Sequence, residues 1–103
     1  MRRLVTIDLT SADIAMFEAY EASVLPLVER HGGRVELRVR SLDGRTETHL
    51  LFFPDPEAFE RYRSDPERLA VVGRWEKCGA RAAAVEVQDV PAPDKTSAVS
   101  ADV

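Results

Sequence analysis

The feature that most constrains the fold of this chain is a helix that contains a proline and ends at two glycines. Apolar side chains recur at spacings of three and four over residues 14–31, which predicts one amphipathic helix. Pro26 lies inside this stripe and removes a backbone donor, so the helix should bend or loosen there. Gly32 and Gly33 follow, and glycine accepts the left-handed conformation at which helices end. The chain should therefore leave the helix directly into a strand beginning at residue 34.

Four strands and a second, interrupted helical region complete the predicted order. The predicted strands are residues 3–9, 34–42, 45–53 and 81–89. Asp43-Gly44 between the middle two is a strong β-hairpin signal. Prolines behind aspartates divide the second helical region into 56–63 and 66–78. The order β-α-β-β-α-β predicts an α+β, ferredoxin-like fold, whose four-stranded antiparallel sheet carries helices on one face.

Composition bounds the class of protein. The length of 103 residues fits one domain, predicted at residues 1–90, and residues 91–103 have the composition of a disordered tail. The net charge of −4 argues against nucleic acids and anionic membranes as partners. The sequence shows no signal-peptide pattern or membrane-spanning run, and the single Cys78 fits a reducing compartment, so we expect a cytoplasmic protein. Twelve arginines against two lysines hint at a GC-rich bacterial genome.

The hairpin register predicts which residues share a face of the sheet. A two-residue turn gives the cross-strand pairs Leu42–Arg45, Val39–Thr48, Leu37–Leu50 and Val35–Phe52. This row is mostly apolar, so it should face the helices. The alternate row should lie on the uncovered face together with parts of the outer strands: Thr6, Asp8, Arg34, Glu36, Arg38, Arg40, Glu47, His49, Leu51, Phe53, Glu86 and Gln88. Either these charges form a solvated face, or two sheets close on one another and enclose them in a cavity.

One sequence motif carries a family resemblance. It reads Phe17-x-x-Tyr20-x-x-x-Val24-x-Pro26-x-Val28-x-x-x-Gly32-Gly33-Arg34. The motif resembles an uncharacterised family of small dimeric α/β-barrel proteins, known mainly as a domain of unknown function. The wider match runs from about residue 4 to 89 and includes Phe52-Phe53-Pro54, Phe59, Tyr62 and Arg74. The chain departs from the pattern at residues 65–68, where relatives tend to place an aromatic.

The resemblance implies an assembly and a range of activities. In this superfamily two ferredoxin-like sheets pack into a shared barrel, so a homodimer through the uncovered sheet face is expected. Its members include cofactor-free monooxygenases, lactone isomerases, dehydratases and proteins without known activity. The resemblance therefore implies an architecture without selecting a reaction.

His49 and Glu47 are the candidate catalytic residues. An imidazole titrates near neutrality, so His49 could act as a general acid or base, with Glu47 two residues away on the same face. Arg38 and Arg40 could hold an enolate or carboxylate oxygen of the substrate. The competing interpretation is a histidine that only hydrogen-bonds across the hairpin.

Arg34 and Tyr20 complete the predicted substrate-binding residues, although an ion pair and core packing are simpler roles for them. We expect a pocket between the sheet and the helices that binds a small anionic or enolic metabolite. Its chemistry would be cofactor-free proton transfer or oxygenation, and the alternative is a non-catalytic binding or accessory protein. No metal or cofactor is expected, because the two histidines and one cysteine lack ligand spacing.

Overall fold

The computed structural model describes residues 1–93 as four strands and five helices. The strands are β1 (Arg2–Asp8), β2 (Arg34–Arg40), β3 (Thr46–Phe52) and β4 (Arg81–Val87). The helices are α1 (Ile14–Val24), α2 (Pro26–Arg30), α3 (Pro56–Arg63), α4 (Pro66–Ala70) and α5 (Val72–Cys78). The strands form one antiparallel sheet in the order β2-β3-β1-β4, which confirms the ferredoxin-like fold. Most of the predicted tail, residues 94–103, lies outside the described residues.

The proline and the glycines act as predicted. The helix divides after Val24, and Pro26 begins α2. Gly32 has a φ of 81°, the left-handed conformation expected at a helix exit. Gly33 is needed for a different reason, because a Cβ there would lie 2.5 Å from the carbonyl oxygen of Phe52. The second helical region is split once more than predicted, between α4 and α5. None of the helices within residues 1–93 is both long and apolar enough to cross a membrane.

The β2–β3 register is the predicted one near the turn. The confirmed pairs are Leu37–Leu50, Arg38–His49, Val39–Thr48 and Arg40–Glu47. An irregularity between Val35 and Leu37 shifts the remaining pairs by one residue, so Val35 pairs with Leu51 and not with Phe52. This is the effect of one extra residue in a strand, a β-bulge, for which the sequence carries no clear signal.

From residue 37 to residue 53 the two faces of the sheet are the reverse of those predicted, whereas Val35, beyond the bulge, packs beneath the helices as predicted. The row beneath the helices contains Arg38, Arg40, Glu47, His49, Leu51 and Phe53. Leu51 and Phe53 are buried in the core, whereas Leu37 and Val39 on the uncovered face are 44% and 48% exposed. The prediction was wrong because it assumed that the more apolar row must face the helices. The charged side chains of the other row instead bind one another and share their face with Leu51 and Phe53.

The outer strands differ in outcome, because β1 is oriented as predicted and β4 is reversed. Alternation along β1 places Val5 and Ile7 beneath the helices, as the cross-strand neighbours of His49 and Glu47. On β4, Glu86 lies in the row of Arg3 and Leu51, on the helix side. Four of the residues predicted for the uncovered face are found there: Thr6, Asp8, Arg34 and Glu36.

The core fills the space between the helices and the sheet in two adjoining clusters. One cluster includes Val28, Phe53 and Tyr62, and the other includes Phe17 and Cys78. Trp75 packs against both and lies with its ring centroid 6.4 Å from that of Phe17. Fully burying one large apolar side chain contributes about 1.5–3 kcal/mol, so these contacts fix α1, α3 and α5 on the sheet.

Candidate functional site

A cavity of about 390 Å³ lies between the sheet and the helices. Its floor is formed by the sheet residues Val5, Ile7, His49, Leu51, Ala82 and Ala84. Its walls come from the helices and include Tyr20, Glu21, Val24, Phe59, Tyr62, Arg63, Arg68, Val72 and Trp75. Ala82 and Ala84 are exposed, so the cavity is open along β4. A largely apolar and aromatic lining with a few polar groups is typical of sites for small organic ligands.

A buried acid–base pair is formed by His49, which lines this cavity, and Glu47, which does not. The His49 Nε2 is 2.6 Å from the Glu47 Oε2, and the two residues are 3% and 2% exposed. Both side chains project towards the helices because they are alternate residues of β3. Within residues 1–93, the Nδ1 of His49 takes part in no hydrogen bond. His49 itself lines the cavity.

Two arginines hold Glu47 in its ionised form. The Arg40 Nε donates to the Glu47 Oε1 at 2.9 Å, and the Arg38 Nε donates to the Oε2 at 3.3 Å. Burial opposes ionisation, but the hydrogen bonds from His49 and Arg40 and the charge of Arg38 keep the pKa of Glu47 below its ordinary value. Arg40 also donates to Glu18 at 3.0 Å. Two of the three arginines predicted to bind substrate, Arg38 and Arg40, are thus engaged with Glu47.

Glu21 is a site residue that the sequence reasoning missed. It is 5% exposed, and its Oε1 lies 3.9 Å from the His49 Nε2. Burial, with the nearby charge of Glu47, raises the pKa of Glu21 to about 7, although Arg38 and Arg40 oppose the shift. A signal was present in the sequence, because residue 21 falls within the buried helical stripe of residues 17–24. An acid in such a stripe is the kind of buried polar group that calls for an explanation.

The oxygens of Glu21 and Glu47 and a ring nitrogen of His49 lie within 4.8 Å of one another. Carboxylate and imidazole are ligands that divalent cations accept. Here, however, both oxygens of Glu47 already accept hydrogen bonds from guanidinium groups, and a cation would meet the charges of Arg38 and Arg40. The arrangement therefore suits proton transfer better than metal binding.

The remaining predicted residues are divided between three places. Tyr20 lines the cavity, and burial raises the pKa of its hydroxyl. Arg38 and Arg40 border a separate, shallow groove of about 740 Å³ beside α1 and α2. Arg34 is exposed on the uncovered face, 3.5 Å from Glu36, and lines neither the cavity nor the groove. The structure thus brings Tyr20 and His49 into one cavity and leaves Arg34 outside it.

No protein-family model matches this sequence, and no curated protein matches it. Several solved structures do resemble it. SnoaB, a cofactor-independent oxygenase from Streptomyces nogalater, matches with a TM-score of 0.66 and 17% identity, over 86% of this chain and 93% of that one. An uncharacterized NIPSNAP domain protein from Burkholderia xenovorans matches with a TM-score of 0.61 and 15% identity, over 91% and 100%. A DABB family protein with a ferredoxin-like fold from Mesorhizobium loti matches with a TM-score of 0.54 and 15% identity, over 85% and 98%. The chain therefore shares its ferredoxin-like fold with these proteins.

Proposed function

We propose that the cavity binds a small organic molecule and that His49 moves a proton to or from it. The observation that carries this proposal is the buried contact of 2.6 Å between the His49 Nε2 and the Glu47 Oε2. A carboxylate held ionised beside one ring nitrogen orients the imidazole and fixes its tautomer, which leaves the other nitrogen as the proton acceptor. Glu47 thus acts as a positioning residue, and Arg38 and Arg40 support it.

The reaction class that fits best is cofactor-free oxygenation at an acidic carbon. SnoaB, which shares this fold, is a cofactor-independent oxygenase, and this supports the choice without deciding it. His49 would take the C–H proton of the substrate, and the carbanion would combine with dioxygen to give a hydroperoxide. The hydroperoxide would then lose water and leave a carbonyl group, so the two C–H hydrogens and one oxygen atom leave as water.

Glu21 supplies a second proton site near neutral pH. Its pKa of about 7 means that it is partly protonated under ordinary conditions. Glu21 lines the cavity, so its carboxyl can deliver this proton to a bound molecule directly. We therefore assign to Glu21 the return of a proton to the developing peroxide.

The test is oxygen consumption with anthrone, a ketone whose ring methylene is acidic, in the presence of a metal chelator. His49→Ala should lower turnover by about 100-fold or more, which is the usual contribution of a general base. Substrate binding should persist, and it can be followed by quenching of Trp75, the one tryptophan of the chain and a cavity residue. His31→Ala is the matched control, because His31 lies outside the cavity and pairs with Asp65 at 2.7 Å. Equal turnover in the two histidine variants would overturn the role of His49.

The alternative is a non-catalytic binding protein that uses the same cavity. The largely apolar and aromatic lining favours this function whether or not a proton moves. Quenching of Trp75 without oxygen uptake, across a panel of phenols and ketones with acidic protons, would assign the protein to this class.

The uncovered sheet face supports a further part of the proposal, a homodimer. Leu37, Leu50, Leu4 and Val85 are successive cross-strand neighbours and form an apolar row across all four strands. Leu37 and Val85 in this row are 44% and 55% exposed. Single exposed apolar side chains are common, whereas a contiguous apolar row marks an interface. A second copy of the chain would cover this row and leave the cavity on the other side of the sheet.

A further inference from the structure

Two arginines line the cavity without a polar partner at their Nε atoms. Arg3 enters from β1 and Arg68 from α4. The Nε atoms of both are buried and make no hydrogen bond within residues 1–93. Neither side chain forms an ion pair within that part of the chain, whereas Arg38 and Arg40 each pair with at least one acid. A buried donor without a partner in a folded protein calls for an explanation.

Aromatic rings are the main neighbours of these two arginines. The guanidinium carbon of Arg3 lies 4.8 Å from the ring centre of Phe59, and that of Arg68 lies 5.0 Å from the ring centre of Tyr62. Phe59 and Tyr62 are one turn apart on α3 and both contact Phe53, so the two guanidinium groups lie at the same end of the cavity. A ring face attracts the cation but accepts no in-plane N–H bond, so each Nε–H lacks an acceptor. The Nη1 of Arg68 donates to the Arg63 carbonyl oxygen at 3.3 Å.

The charge balance of the cavity favours an anion. Three guanidinium groups line it, those of Arg3, Arg63 and Arg68, against the single carboxyl of Glu21. The Nε atoms of Arg3 and Arg68 are shielded from bulk water. Charge-assisted hydrogen bonds are strong in such surroundings, and the planar guanidinium matches the two oxygens of a carboxylate.

We propose that Arg3 and Arg68 form an anion-binding subsite that makes the cavity selective for aromatic acids. The aromatic part of the ligand would pack against Trp75 and Tyr20, and its carboxylate would meet the two guanidinium groups. This inference rests on the proposed function, because it deepens the identity of the molecule that reaches His49. It also moves the source of anion recognition from Arg38 and Arg40 to residues that the sequence analysis did not select.

The test compares two fluorescent probes that differ only in charge. 1-Anilinonaphthalene-8-sulfonate carries an anionic group, and N-phenyl-1-naphthylamine is the same scaffold without it. We expect the anionic probe to bind the protein about 10-fold or more tightly than the neutral one, as expected for charge-assisted hydrogen bonds. Arg3→Met and Arg68→Met should each weaken the anionic probe about 10-fold and change the neutral probe less than about 2-fold. Arg61→Met on the exposed side of α3 should change neither.

Two further measurements place the probe and verify folding. Ala84→Trp fills the cavity from β4 and should abolish binding of both probes, which shows that they occupy this cavity. Circular dichroism and the Tm of each variant identify any variant that has lost its fold. The comparison of the two probes on the wild-type protein does not depend on the variants. Equal affinity of the wild type for both probes would overturn the anion subsite and leave the cavity proposal intact. If neither probe binds, both the anion subsite and the cavity proposal are overturned.

Discussion

Replacing Glu21 with glutamine tests the electrostatics at the centre of the site. Burial raises the pKa of this carboxyl from 4.5 to about 7, so the folded protein holds the proton more tightly than the unfolded chain. Between these two values the unfolded state releases its proton first, and the free energy of unfolding therefore falls as pH rises. One pKa unit corresponds to about 1.36 kcal/mol, so the full decrease between pH 4.5 and pH 7 is about 3 kcal/mol.

Glutamine has nearly the same shape and carries no charge at any pH, so Glu21→Gln should remove this decrease. We expect the variant to match the wild type below pH 4.5 and to exceed it by up to about 3 kcal/mol at pH 8. The groups that face Glu21 are Glu47, His49, Arg38 and Arg40, and they remain in place. Urea unfolding followed by tryptophan fluorescence at pH 4.5, 6, 7 and 8 gives both pH profiles.

Glu76→Gln on α5 is the control, because Glu76 is exposed and should leave the wild-type pH profile unchanged. Both variants remove one negative charge, so the difference between their pH profiles of unfolding free energy reports the effect of burying the carboxyl. A Glu21→Gln profile parallel to that of the wild type would refute the reasoning, since it would mean that the carboxyl titrates near its ordinary pKa.

Two other predictions concern the sheet. Leu37→Asp, on the uncovered face, should convert a dimer of about twice 11.5 kDa into a monomer, measured by light scattering after size exclusion, while Leu42→Asp in the exposed turn should not. A monomeric wild type would contradict the dimer outright. Gly33→Ala should destabilise the fold by about 1–3 kcal/mol, because the new Cβ meets the Phe52 carbonyl at 2.5 Å. Gly73→Ala, with open space in α5, should instead stabilise it by about 0.5–1 kcal/mol in urea unfolding, and the opposite order would refute the packing argument.

Spacing in the sequence was sufficient to predict the fold. Helical periodicity, Pro26 and the two glycines located α1, α2 and the start of β2 correctly, because these signals act within a few residues. The hairpin register near Asp43-Gly44 was correct for the same reason. The register failed at the bulge beside Glu36, where the extra residue depends on how β2 packs and not on a local preference.

The choice of sheet face could not be made from β2 and β3 alone. The row predicted for the helix side has six apolar side chains and the other row has only Leu51 and Phe53, so an apolar count over these two strands favours the wrong face. The decisive information lies in β1, where Val5 and Ile7 are the neighbours of His49 and Glu47. Which residues of β1 oppose β3 depends on a long-range register that one sequence does not specify.

The buried charged side chains around Glu47 are not accounted for by their contribution to stability. Replacing a buried ionic cluster by well-packed apolar residues is often neutral or stabilising, so the cluster around Glu47 is poorly explained as a stabilising device. Its cost is visible in Glu21, whose raised pKa means that ionisation is disfavoured by the fold. If Glu21 returns a proton during turnover, Glu21→Gln should be more stable at pH 8 and less active. If the variant gained stability without losing turnover, the Glu21 carboxyl would destabilise the fold without taking part in the reaction. The proton-return role of Glu21 would then be refuted, and the role of His49 would be unaffected.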